Sequence, residues 1–481
     1  MLFSEPIYIF LFLPLALFLY IVTGQRNVVL LAISLVFYTW GEPLLVFVML
    51  GTVLINYGFG VGLGAFQDKR SASARFVLSA GICANLGILG FFKYLDFTIS
   101  IVNPAIFALG FTPFKYQHIP LPLGISFFTF QAISYLIDIC RMECKPQRNI
   151  IDFALFKTLF PQLIAGPIVR YTELSKQLTK RSLKLSLFAQ GIRQFIVGLA
   201  KKVLVADIIA VSVDRIFGLP GEQLSASLAW TGAALFMIQI YFDFSGYTDM
   251  AIGVGKMLGF ELPNNFNYPY SALSIQDFWH RWHMTLSRWF RDYLYIPLGG
   301  NRKSAARTSI NLLIVFLMCG LWHGASLTYV AWGLYHGVFL MIERTRVGAF
   351  IGESPVILRR VYVLLVLLVG WIIFRAESLT QVVDFARAML GLNGFSNHLQ
   401  QLRAYTDSMT FISATVGVAF SFPILQRLDF STLQRRGQSG TSQLYFLITT
   451  GVEVAAYSFL FLLCLAFSAG QTHRAFIYFR F

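Results

Sequence analysis

The chain has 481 residues, of which 56% are hydrophobic, 16% aromatic and only 13% charged, and its mean hydropathy is +0.65. Soluble globular chains carry about 25% charged residues, so a water-soluble domain of this length is excluded, and repeated apolar runs of roughly 20 residues call for an all-α polytopic membrane protein embedded in lipid. The net charge of +15 sits in short clusters between those runs rather than in one continuous stripe, which argues against nucleic acid as a partner.

In chain order the predicted spans are Pro6–Val22, Val28–Trp40, Leu44–Phe66, Phe76–Leu95, Leu228–Phe242, Ile310–Leu321, Leu327–Ile342, Val361–Phe374, Phe411–Leu425 and Leu444–Ala466. The first run lacks a preceding basic segment and a following A-x-A site, so it reads as a retained helix rather than a signal peptide. Basic clusters at Lys69/Arg70/Arg75, Arg141/Lys145/Arg148, Lys176–Lys184, Arg302–Arg307, Arg344–Arg360 and Arg427–Arg436 belong on the cytoplasmic side. Placing Gln67–Arg75 inside puts the Gly41-Glu42-Pro43 turn outside and turns the N-terminus outward. The mixed segment Arg181–Gly218, with Arg193, Lys201, Lys202 and Asp207, suits a helix lying along the cytoplasmic surface.

Two apolar stretches are interrupted by Pro and Gly: Leu121-Pro122-Leu123-Gly124-Ile125-Ser126-Phe127-Phe128, and Leu159 to Ile168 with Pro161, Gly166 and Pro167. Irregular backbone at membrane depth survives where it is buried in protein or lines a wet cavity. They read either as re-entrant pieces around an interior site or as proline-kinked spans. No soluble domain, linker or convincing repeat is evident. The expectation is one membrane domain over 1–481, with N-terminal spans at 6–95, a catalytic core at about 115–345 and C-terminal spans at 361–466. The five cysteines are scattered, and the Cys140/Cys144 pair has no second pair to complete a zinc site.

The densest chemistry lies in the centre. Wound as one helix, Phe278 to Tyr293 places Phe278, Trp279, Trp282, Leu286, Trp289, Phe290 and Tyr293 on one face and Arg281, Thr285, Ser287, Arg288, Arg291 and Asp292 on the other. This predicts an amphipathic interfacial helix with His283 at the edge of its aromatic face and His280 just beyond. No carboxylate completes a ligand set for His280, His283 and His323, so no metal is expected. Upstream, Asp243 and Asp249 are costly at membrane depth unless paired or wet. They would pair with Arg281 or Arg288, or line a polar tunnel.

His323 stands in an apolar run from Leu312 to Tyr329. An ionisable side chain there marks a functional site by default, and imidazole exchanges protons near neutrality. Ser309 to Trp322 would rise about 21 Å as a helix, short of the ~30 Å hydrocarbon core, so the imidazole lies deep and near a break that Gly324 permits. Two chemistries suit it: a base that takes the proton of an attacking hydroxyl, or a relay in a proton-coupled transporter. The paired inverted repeats usual in transporters are not evident.

Five stretches carry a family resemblance. They are Leu121-Pro122-Leu123-Gly124-Ile125-Ser126-Phe127-Phe128-Thr129-Phe130-Gln131, Pro161-Gln162 with Ala165-Gly166-Pro167, and Tyr241-Phe242-Asp243-Phe244-Ser245-Gly246-Tyr247-Thr248-Asp249-Met250-Ala251. To these add Phe278-Trp279 through Tyr293-Leu294-Tyr295-Ile296-Pro297-Leu298-Gly299-Gly300-Asn301, and Gly320-Leu321-Trp322-His323-Gly324. In this order they resemble the membrane-bound O-acyltransferase family, in its bacterial polysaccharide-modifying branch of the alginate O-acetyltransferase type. The resemblance implies a bundle of about 10–12 membrane helices, with re-entrant and amphipathic helices around a central tunnel, in the bacterial inner membrane. It implies acyl transfer from a cytoplasmic thioester, here acetyl-CoA or another acetyl thioester, with no bound cofactor. The acceptor would be an exopolysaccharide or a periplasmic partner that passes the acetyl on. His323 matches the family's catalytic histidine and His283 its second functional histidine. Gln162, Tyr241, Asp243, Ser245 and Tyr247 are expected to line the tunnel, with Asp249, Arg281 and Trp322 also in contact with substrate. D-alanyl transfer to teichoic acid and peptidoglycan O-acetylation use similar sequences. The two further spans after Arg375 favour the acetyltransferase type.

Overall fold

The computed structural model describes residues 1–164, 166–393, 398–423, 443–469 and 476–477. Among them every regular element is helical. Helix α1 (Tyr8–Val22) opens with a π turn, and α2 (Asn27–Gly41), α3 (Val46–Ala65) and α4 (Ala72–Ala108) follow across short turns. At 37 residues α4 rises about 55 Å, so the predicted span Phe76–Leu95 covers only part of it, toward its N-terminal end. Ser71 caps its start by accepting from the Ala74 amide.

Helix α5 (Ile125–Cys140) begins at Gly124, which takes φ +76° where an added Cβ would meet the Leu163 carbonyl at 2.5 Å. It is buried along nearly its whole length although it is apolar enough to face lipid. The short helices α6 (Ile150–Thr158), α7 (Phe160–Leu163) and α8 (Tyr171–Thr179) wrap against it, joined by irregular buried backbone around Gly166 to Val169.

The expectation of a surface helix over Arg181–Gly218 is overturned. Helix α9 (Leu185–Ala200) continues through a π segment, Lys201–Ala206, into α10 (Asp207–Phe217), and this long rod packs antiparallel against α11 (Ala226–Met257) in the centre of the molecule. Small residues make the approach possible. A Cβ on Gly198 would lie 2.6 Å from the Gly246 carbonyl, and one on Gly191 would lie 2.5 Å from that of Gly253. The charges that suggest a solvated face are paired: across this seam Lys202 meets Asp243 and Lys201 meets Asp249, and within the rod Lys202 also meets Asp207.

The segment expected as a single amphipathic helix is broken. Helix α12 (Ile275–Arg281) ends at Trp282, His283 adopts φ 41° and ψ 55°, and α13 (Met284–Phe290) starts anew before a π turn at Arg291–Tyr295. Its aromatic residues point into protein: Phe278, Trp279, Trp282, Trp289 and Phe290 are all buried. The periodicity is genuine, but the face it marks meets other helices rather than lipid headgroups.

Helices α14 (Ala305–His323) and α15 (Leu327–Ile342) form a tight hairpin, followed by α16 (Arg346–Glu353), α17 (Val356–Arg375), α18 (Leu379–Met389), α19 (His398–Tyr405), α20 (Ser408–Phe420) and α21 (Gln443–Ala469). The predicted span Phe411–Leu425 is thus α20 in part, and Ile424 and Leu425 lie outside the described residues. Among the described residues five helices are long and apolar enough to cross a membrane, and five shorter ones (Tyr8–Val22, Asn27–Gly41, Ile125–Cys140, Leu327–Ile342, Ser408–Phe420) are also apolar. The chain is therefore an all-α, multi-pass membrane protein. Exposed Phe, Leu, Ile and Val side chains on these helices form the lipid-facing surface.

Candidate active site

His323 is the last residue of α14, 19 residues or about 28 Å from the helix start. Gly324 leaves the helix in an extended conformation that any residue adopts. Glycine is needed there for space, because a Cβ would sit 2.2 Å from the Tyr329 ring. The same hairpin crosses at Gly320 and Gly333, where a Cβ on Gly320 would strike the Tyr329 carbonyl at 2.2 Å. This close packing holds the His323 imidazole, 3% exposed, inside an aromatic cage. Trp322, Trp332 and Phe374 meet it edge-on with centroids at 4.9, 5.1 and 5.2 Å.

His283 reaches the same aromatic cluster from the other side. Its ring lies 5.9 Å from that of Trp322 and edge-on to Phe244 at 4.8 Å. The break at His283 is held by Asn265. The Asn265 carbonyl accepts the Met284 amide at 2.9 Å. The Asn265 side-chain Oδ1 lies 3.0 Å from His283 Nδ1 and accepts from the Thr285 amide at 3.2 Å and the Thr285 hydroxyl at 3.0 Å. Because Oδ1 already accepts from the Thr285 amide, it must be the oxygen, so His283 Nδ1 carries the hydrogen and Nε2 carries the lone pair. Thr285 Oγ1 in turn accepts the Ile168 amide at 3.0 Å, which ties the irregular α7–α8 segment to the site. A non-glycine residue in the left-handed region is strained by about 1–2 kcal/mol, and here the strain aims the imidazole inward.

A cavity of about 610 Å³ lies beside this pair, lined by their chain neighbours rather than by the two histidines themselves. Asn301 and three arginines, Arg288, Arg291 and Arg344, are among its lining residues. Its wall follows one face of α14 through Leu312, Val315, Phe316 and Cys319. That i, i+3, i+4, i+7 stripe continues to His323 one turn beyond Cys319. Met284, which adjoins His283 in the chain, and Trp279 and His280 are also among the lining residues. The indole Nε1 groups of Trp279, Trp322 and Trp332 are buried and have no hydrogen-bond partner among the described residues. Of these three donors Trp279 lines the cavity, where an unpartnered indole suits a polar ligand or water.

The structure brings together His323, His283 and Trp322. The other expected contacts lie elsewhere. Asp243 is taken by Lys202 at 2.6 Å and accepts the Ile477 amide at 2.7 Å. Asp249 is taken by Lys201 at 2.6 Å and Gln194 at 3.0 Å. Neither pairs with Arg281 or Arg288, which are bound to Asp277 at 2.7 Å and Glu173 at 3.3 Å. The expected pairing fails because the lysines of the adjacent rod already hold both carboxylates, while Arg281 is bound within its own helix and Arg288 to α8. Tyr247 stacks on Phe3 at 4.9 Å and meets Phe476 at 4.5 Å. Tyr241 packs among Phe266, Tyr270 and Trp282. Gln162 donates to the Phe156 carbonyl at 2.6 Å, while its Oε1 and the Ser245 hydroxyl are buried without a partner among the described residues. None of these lines the cavity.

Sequence reasoning misses Asn265, Lys93 and His336. Lys93 and His336 carry the same signal that singles out His323, an ionisable group inside an apolar run. His336, 1% exposed, meets Trp279 and Trp332 edge-on, both at 5.1 Å. Asn265 lies in an unremarkable loop, and only the fold reveals its part.

Residues 143–350 match the sequence profile of the membrane-bound O-acyltransferase family. Over 384 residues the chain is 44% identical to a protein of Pseudomonas aeruginosa named probable alginate O-acetylase AlgI, covering 79% of this chain and 73% of that one. It is 38% identical over 434 residues to the peptidoglycan O-acetyltransferase of Helicobacter pylori, covering 82% and 81%. A shorter match, 33% over 235 residues, reaches the teichoic acid D-alanyltransferase of Bacillus subtilis, covering 45% and 58%. The chain belongs to the membrane-bound O-acyltransferase family. Within it, the chain is an acyltransferase of the O-acetyltransferase type, related to the AlgI proteins.

Proposed function

We propose that this protein transfers an acetyl group from a cytoplasmic thioester, of the acetyl-CoA kind, to a hydroxyl of an extracytoplasmic polysaccharide such as alginate, directly or through a periplasmic partner. The observation that carries the reading is the cavity that runs from Asn301 and Arg344 along α14 to one turn below His323. Its arginines, Arg288, Arg291 and Arg344, are read as a cationic mouth on the cytoplasmic side of the bacterial inner membrane, an orientation that leaves the N-terminus outward. Anionic phosphates suit that mouth, and a narrow thioester arm suits the apolar wall.

In the reaction His323 takes the proton of the acceptor hydroxyl as its oxygen attacks the thioester carbonyl. His283, supported by Asn265, orients the thioester or hydrogen-bonds the developing charge. The tetrahedral intermediate then expels the donor's sulfur as thiolate, which recovers the proton from the His323 imidazolium. Atoms balance as ester plus thiol, with no oxidant and no metal in any step. Gln162 and Ser245, with buried unpartnered polar atoms, belong on the acceptor's path, as does Trp322 between the two imidazoles. Tyr241, Tyr247, Asp243, Asp249 and Arg281 support the walls through the contacts described above.

The relative with higher mutual coverage acts on peptidoglycan, so peptidoglycan O-acetylation is the second reading of the acceptor, with the same first half-reaction. Isolated membranes supplied with radiolabelled acetyl-CoA test both. Label should enter the polymer fraction with wild-type protein and fall at least ~10³-fold with His323→Ala. Digestion of that fraction with alginate lyase or with a muramidase identifies the polymer. Full transfer by His323→Ala would sink the assignment of the base, and absence of any transfer beside acetyl-independent proton flux would favour a transporter.

A further inference from the structure

The carbonyl end of α14 is bonded from another helix. A helix leaves the carbonyls of its last turn without intrahelical donors, and the bilayer interior offers no bulk water to take them. In α14 those carbonyls belong to the residues that carry the site. The Gly324 amide approaches the Gly320 carbonyl at 3.4 Å. The next ones are met by two consecutive residues of α4. Tyr94 Oη donates to the Leu321 carbonyl at 2.5 Å. Lys93 Nζ donates to the Trp322 carbonyl at 2.5 Å, reaches the His323 carbonyl at 3.4 Å, and donates to Ser126 Oγ at 3.1 Å.

Lys93 is 8% exposed, and no carboxylate pairs with it among the described residues. An unpaired ammonium at this depth is expensive and is retained where it does something. Its surroundings show what it serves. It faces the negative end of the α14 dipole, lies over the Trp322 ring at 5.9 Å, and bridges α14 to the start of α5 through Ser126. We propose that Lys93 and Tyr94 are positioning residues: they clamp the carbonyl end of α14 and thereby fix the His323 imidazole in the place that acyl transfer requires. The clamp rests on the reading of His323 as the base. Released from it, the terminal turn loses its cross-helix donors at Leu321 and Trp322, and His323, as the last helical residue, shifts first. A displacement near 1 Å costs on the order of 10²-fold in rate.

The test is acetyl transfer from acetyl-CoA by isolated membranes, with rates expressed per mole of protein. Lys93→Met should lower kcat at least ~10-fold while the KM for acetyl-CoA stays within about 2-fold, because the cavity mouth is untouched. Tyr94→Phe should lower kcat by roughly 3-fold to 10-fold, and Lys93→Arg, which keeps a cationic donor, should recover part of the loss. On a His323→Ala background Lys93→Met should change the residual rate no further, because it acts through the imidazole. A purely structural lysine would instead lower the yield of folded protein and leave kcat per mole intact. Wild-type kcat in Lys93→Met, or an additive loss on the His323→Ala background, overturns the proposal. If Lys93→Met does not fold, Tyr94→Phe and Lys93→Arg decide the question, and wild-type kcat in Tyr94→Phe overturns it. An inactive His323→Ala beside a fully active Lys93→Met removes only the clamp, whereas an active His323→Ala removes the base itself.

Discussion

Replacing Asn265 by alanine should separate the organisation of His283 from the rest of the site. The side chain is 1% exposed, and its Oδ1 is shared by His283 Nδ1, the Thr285 amide and the Thr285 hydroxyl. The backbone bond from Met284 to the Asn265 carbonyl survives the change, so the break itself should persist. A net buried hydrogen bond is worth about 1 kcal/mol, so three contacts amount to roughly 3 kcal/mol. The Thr285 hydroxyl can turn to another acceptor, which brings the expected destabilisation to about 2 kcal/mol. The effect on turnover should be larger than that figure suggests. Without Oδ1 the acceptor that places the hydrogen on Nδ1 is gone, and the preference for the tautomer with its lone pair on Nε2 weakens. A loss of about 10²-fold in kcat, or ~2.7 kcal/mol, is the expectation. Thermal unfolding in detergent gives the first quantity, and acetyl transfer from radiolabelled acetyl-CoA gives the second. Asn265→Asp keeps the oxygen acceptor and should retain more activity than Asn265→Ala. Wild-type kcat in Asn265→Ala would refute the role of this contact in orienting His283, whatever the change in stability.

Three further expectations address other parts of the molecule. Cys319→Trp fills the inner end of the cavity one turn below His323 and should raise the KM for acetyl-CoA at least ~10-fold, and an unchanged KM would show that the donor does not use this path. Lys202 is buried between Asp243 and Asp207 at 2.6 and 2.8 Å, so Lys202→Met alone should destabilise by about 3–5 kcal/mol, and the triple change with Asp207→Asn and Asp243→Asn should recover much of that in thermal unfolding. Asp292 lies outside the long apolar helices: burial raises its pKa, but hydrogen bonds from Arg291 and Arg170 and their charges outweigh that and hold it below the ordinary carboxylate value. A depressed folded value contributes stability that is complete above about pH 4 and is lost as pH falls through the folded value. Unfolding midpoints of wild type and Asp292→Asn should therefore converge below about pH 4, and a constant gap down to about pH 2 would contradict this.

The apolar pattern marks helices well where one face meets lipid. Leu327–Ile342 agrees to the residue, Val46–Ala65 within two residues at each end, and Ala305–His323 within five. It misleads where helices are buried on all sides. The rod from Leu185 to Phe217 resembles a surface helix because its charges are visible in the sequence and their partners are not, since Lys202 and Asp243 are 41 residues apart and meet only when α9–α10 folds back on α11. The Phe278–Tyr293 wheel fails for the opposite reason. Its spacing is helical throughout, and nothing local announces that a distant Asn265 will hold His283 in a left-handed conformation.

The sequence by itself determined the solvent and the chemistry. An apolar excess of this size belongs in a bilayer, and a histidine within it points to proton transfer, because the cost of desolvation acts wherever the residue lands. Tertiary structure decided how that histidine is used. Hydrogen-bond acceptors for His283, the clamp of Lys93 and Tyr94 on the end of α14, and the cavity along its face all join residues distant in the chain. Such contacts depend on distance in space, which hydrophobic periodicity along a single segment does not encode.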